Sequence, residues 1–129
     1  MSFKLGQRSG PIAVGGRIIK KHLNEISRED LGDGVLGEAR MDGTIAVDNS
    51  VEPGSPLDNR IQAHEGTHAD EIAEGRIAYA DDYIEADGVR HPRKNGKIFY
   101  KGQWLPEGDS AFPWEQRAIA AEEKTSNYV

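Results

Sequence analysis

The run His64-Glu65-Gly66-Thr67-His68 sets two imidazoles four residues apart, with a carboxylate beside the first. On a helix, positions i and i+4 share a face, so both rings can converge on one ion. The chain has no cysteine, which excludes disulfides and thiolate zinc sites and leaves histidine and carboxylate as the available donors. Zinc bound by such a pair acidifies a coordinated water. Glu65 sits where it can take the proton from that water and pass it to a leaving amine. A surface helix with two solvated histidines is the plainer alternative. Against it, the motif lies in an apolar stripe, follows a well-formed helix start and has the small Ala63 and Gly66 around it.

A catalytic zinc site takes three protein ligands and keeps one position open. The other two histidines are poor candidates: His22 stands beside Lys20 and Lys21, and His91 precedes Pro92 in the basic run Arg90-His91-Pro92-Arg93-Lys94, which reads as a solvated turn. No third histidine follows closely, since His68 leads into Ala69-Asp70-Glu71-Ile72-Ala73-Glu74. A carboxylate from a later helix is the better donor. Glu115 ranks first, beside Trp114 and one turn before the small Ala118, which allows close helix approach. Glu122 shares its face and ranks second, either as the ligand itself or as the acceptor of an imidazole N–H. Glu71, three residues after His68, could orient a ligand but reads first as a solvated acid; Tyr79, Tyr83 and Tyr100 read first as packing residues and second as oxyanion donors, with no basis for choosing among them.

The elements that must position these groups follow from local pattern. Ser55 is a good N-cap, Pro56 suits the first helical position, and Leu57, Ile61, His64, His68 and Ile72 form one stripe, so a helix is expected to about Glu74, stopped by Gly75. Met41-Asp42-Gly43 between Val35–Arg40 and Thr44–Val47 predicts a hairpin. Residues 76–95 read as a helical turn or two, Lys97–Tyr100 as a short strand with Gln103-Trp104-Leu105 after it, and Pro113 to about Lys124 as a last helix. Ile18-Ile19 and Leu23–Ile26 fit one face of a short helix. Residues 1–16, with four glycines around Pro11, read as a flexible arm ahead of a single domain over 17–129.

At 129 residues the chain suits one domain of class α+β: a motif helix, a second ligand-bearing helix and a short antiparallel sheet. The net charge of −6 argues against nucleic acid as a partner. The hydrophobic fraction of 36% and mean hydropathy of −0.67 fit a soluble protein. No apolar run approaches the roughly 20 residues that span a bilayer. The start lacks the apolar core of a secretory signal, so a cytoplasmic protein, or one released with a phage or mobile element, is expected.

The hairpin ending in Gly43–Asp48, the His64–His68 helix and the Pro113-Trp114-Glu115-Gln116-Arg117-Ala118 helix together resemble the small gluzincin-type metallopeptidases. The layout is similar to minimal zincins and the ImmA/IrrE group, over about residues 35–124. That resemblance implies a zincin-like fold, one zinc per chain held by His64, His68 and a downstream glutamate, Glu65 as base, and a peptide or protein substrate. The opening Phe3-Lys4-Leu5-Gly6-Gln7-Arg8-Ser9 resembles the start of some phage cell-wall peptidases. Two other readings stand beside the peptidase: a catalytically silent zinc-binding or structural module, and an amide hydrolase acting on peptidoglycan.

Overall fold

The computed structural model describes residues 2–5 and 25–127, with side chains described over 25–125. In chain order the elements are β1 (Ser2–Leu5), β2 (Ile26–Glu29), β3 (Val35–Ala39), β4 (Ile45–Asp48), α1 (Pro56–Ala73), β5 (Ile77–Ala80), β6 (Tyr83–Ala86), β7 (Val89–Lys94), β8 (Lys97–Tyr100), β9 (Gln103–Pro106) and α2 (Pro113–Asn127). The class is α+β, as the sequence pattern predicts.

The first sheet runs β1-β3-β4-β2. Its centre is the expected β3–β4 hairpin, antiparallel with Gly37 opposite Val47 and Ala39 opposite Ile45. Gly43 closes the turn at φ 93°, a conformation that costs glycine little. β1 and β2 flank the hairpin in parallel to β3 and β4. Ser2–Leu5 therefore belongs to the sheet, where a flexible arm was expected; the rest of that stretch, residues 6–16, lies outside the described residues. The helix expected over Ile18–Ile26 also falls outside them, except Glu25, which is not helical, and Ile26, which is in β2.

One face of this sheet covers α1. Ile45, Val47, Val51, Ile61 and Ala69 form the shared core, with Leu57 packed against it. The helix begins as expected: Ser55 accepts a hydrogen bond from Asp58 N at 3.1 Å, Pro56 follows, and Gly75 takes φ 81° just past the end.

Residues 76–95 are strands, correcting the helical turns expected there. The governing period is two: Ile77 and Tyr79, then Ile84 and Ala86, point into a second core with Ile98, Phe112 and Trp114. The meander β5-β6-β7-β8-β9 turns through Asp87-Gly88, Asn95-Gly96 and Lys101-Gly102, every one of these six residues at positive φ. Such paired left-handed residues match the twist of adjoining strands. Arg90–Lys94 belongs to β7 and is not a solvated turn. Arg93 is buried there, donating to Glu107 at 3.0 Å and to the Ala80 carbonyl at 2.8 Å.

α2 packs along α1, and fully buried Ala118 permits the close approach. Arg117 on α2 clasps Glu71 on α1 through two hydrogen bonds of 2.7 and 2.9 Å. Glu71 is thus a buried tie between the helices and not the solvated acid expected from its position.

Candidate metal centre

The α1–α2 contact brings together the residues singled out by the motif. His64, His68 and Glu115 each offer one donor atom, all within 4.8 Å of one another, and all three residues are buried. This group can hold a metal ion. His64 Nε2 lies 2.9 Å from Glu115 Oε1, and His68 Nε2 lies 3.1 Å from Glu115 Oε2, so one carboxylate faces both rings.

Glu122 takes the other role weighed for it. Its Oε2 is 2.5 Å from His64 Nδ1. A proton on Nδ1, donated to Glu122, leaves a lone pair on Nε2 aimed at the Glu115 carboxylate. Two lone pairs at 2.9 Å repel unless a cation lies between them, and either an imidazolium proton or a metal ion answers that need.

Other groups point the same way. His68 has both ring nitrogens buried without a hydrogen-bond partner; its approach to Glu115 is close but poorly aligned for one. Glu65 is fully buried, and neither of its oxygens has a partner. Among the described residues, no Lys or Arg pairs with Glu65, Glu115 or Glu122. Burying unpaired carboxylates costs several kcal/mol each unless a cation compensates. Burial, then the nearby Glu115, Glu38 and Glu122 carboxylates, push the Glu65 carboxyl well above its ordinary range. Burial also works against ionised Glu115, but its contacts with His64 and His68 outweigh this and hold it at about 2. The donor set and its uncompensated negative charge fit a divalent cation.

Sequence reasoning missed Glu38 and Gly37, both on β3. Glu38 is buried close to Glu65 and held by Arg40 Nε at 2.8 Å. Its signal was an acid inside an otherwise apolar strand, Val35-Leu36-Gly37-Glu38-Ala39.

The remaining candidates lie in other settings. His91 packs its ring 5.4 Å from Tyr100 and 5.6 Å from Trp114, outside the ligand group. His22 lies outside the described residues. Among the candidate oxyanion donors, the Tyr79 hydroxyl donates to the Ala39 carbonyl at 2.8 Å, Tyr83 lies under the Arg90 guanidinium, and Tyr100 packs edge-on against Phe112. Thr67 turns its hydroxyl back to the Ala63 carbonyl at 2.9 Å.

Comparison with protein-family models, curated proteins and solved structures finds no match to this chain. Among the described residues, no helix is long and apolar enough to cross a membrane.

Proposed function

We propose that this chain is a zinc-dependent peptidase in which His64, His68 and Glu115 hold the ion and Glu65 is the general base. The observation that carries this reading is the unpartnered Glu65 carboxylate beside a complete three-donor set. A purely structural site needs no further buried acid, and keeping one there is costly. The bound ion would act as a Lewis acid that makes water reactive near neutral pH. Glu122 fixes the His64 tautomer, so that Nε2 presents its lone pair to the ion. Glu65, buried beside the donor set with neither oxygen held by a partner, moves the proton from water to the leaving amine. Peptides are the substrate class that the resemblance suggests, and peptidoglycan amides present the same bond.

One observation favours a second reading, a metal site that staples the fold without turnover. His64, Glu65, His68 and Glu115 are each at most 2% exposed, which leaves little access for a substrate.

Elemental analysis of protein purified without added metal should find about one zinc per chain. His64→Ala and His68→Ala should each abolish it. Glu65→Gln should keep the zinc and lower peptide hydrolysis by several orders of magnitude, as removal of a base on which zinc chemistry depends predicts. Full activity in Glu65→Gln would remove the base assignment. Zinc retention with no cleavage across peptide and muropeptide libraries would favour the staple.

A further inference from the structure

Gly37, inside β3, is a glycine for which backbone conformation gives no reason. Among the described residues nine glycines take positive φ, all in turns or loops, and Gly37 is not one of them. In a strand, glycine stabilises less than alanine, so something else must favour it. Glycine there commonly marks a close approach of backbone to another group.

The group approached is the Glu65 turn of α1. A Cβ on Gly37 would lie 2.7 Å from Ile61 Cγ2, 3.0 Å from Glu65 Cγ and 3.0 Å from Glu65 Oε2. Ile61 and Glu65 are both fully buried, so either side chain would have to shift within a packed interior. No hydrogen bond holds either carboxylate oxygen, so contact with its neighbours must orient the group.

We propose that Gly37 is a positioning residue for the Glu65 base, its bare backbone forming the floor on which the carboxylate rests. The inference depends on the reading that Glu65 is the base. A methyl group at Gly37 would press on the Glu65 carboxylate, and the three atoms nearest to it include none of the proposed metal donors. The close contact with Ile61 is a separate packing demand, and it can be relieved separately: leucine lacks the branch methyl that Ile61 turns toward Gly37.

The test uses full-length, cobalt-loaded protein and compares the parent with Glu65→Gln, Gly37→Ala, the pair Gly37→Ala with Ile61→Leu, and Val35→Ala. It reads bound cobalt per chain and the pH midpoint of the cobalt visible spectrum. All variants should keep the cobalt. The paired variant should move the midpoint in the same direction as Glu65→Gln and by a comparable amount. Val35→Ala, which only shortens a buried side chain on the same strand, should lower the melting temperature and leave the midpoint in place.

A paired variant that folds and binds cobalt with the parent's midpoint, while Glu65→Gln shifts it, overturns the role of Gly37 and leaves the proposed function standing. A paired variant that fails to fold assigns Gly37 to packing alone and also overturns it. A midpoint that Glu65→Gln does not move, or a parent that binds no cobalt, removes both this inference and the reading beneath it.

Discussion

Glu115 and Glu122 sit one face-repeat apart on α2 and flank the same ring from opposite sides. The helix period put both on one face, which the sequence showed. It could not show which would meet Nε2 and which Nδ1, because that depends on how α2 slides along α1. The structure gives Glu115 contact with both histidines and Glu122 contact with His64 alone. Glu115→Ala should therefore remove a donor and weaken zinc affinity by far more than Glu122→Ala, which should cost about ten- to a hundredfold as the loss of an orienting partner. Competition titration against a chelating dye measures both, and the reverse order would exchange the two roles. The pair Glu71–Arg117 was illegible for a related reason: its partners are 46 residues apart and nothing local links them.

At the scale of elements, legibility followed how local the cause was. α1 was readable because its start, its stripe and its stop all lie between Ser55 and Gly75. Ser55→Ala should accordingly cost about 1 kcal/mol in urea unfolding of the metal-loaded protein. The β3–β4 hairpin was readable from its Asp-Gly turn. β5, β6 and β7 were not, because each is short, only two residues per strand are buried in β5 and β6, and what stabilises them is the neighbouring strand. β2 is tied in by charge: Arg28 meets the buried Asp58 at 2.7 Å, and Arg40 reaches Glu29 at 2.9 Å. Hydrogen bonds from Arg40, then from Ser27, lower the Glu29 carboxyl from 4.5 to about 2. A carboxyl depressed on folding binds fewer protons in the native state, so its contribution is complete above about 4.5 and is lost as pH falls toward about 2. The urea midpoint should drop across that window, and Arg40→Ala should flatten the drop. An unchanged slope in that variant would show that other acids set the acid limb.

For the whole molecule, two small cores meet at the α1–α2 contact, and the candidate metal lies where they join. Stability should then follow metal supply. At free zinc a thousandfold above the dissociation constant, binding adds about 4 kcal/mol, so chelator-stripped protein should melt well below the loaded form. Equal melting curves with and without chelator would place the ion outside the folding equilibrium. His64 and Glu115 are 51 residues apart, and the meander lies between them. A link across that span removes chain entropy from the unfolded state much as a disulfide does, by about 4 kcal/mol on the loop-closure estimate. In a chain without cysteine, an ion held there would serve as a reversible crosslink that can be withdrawn under reducing or oxidising conditions alike. On the proposed reading, metal scarcity would set a timer on the protein's survival, because the unlatched span from β5 to β9 would be the first part open to proteolysis.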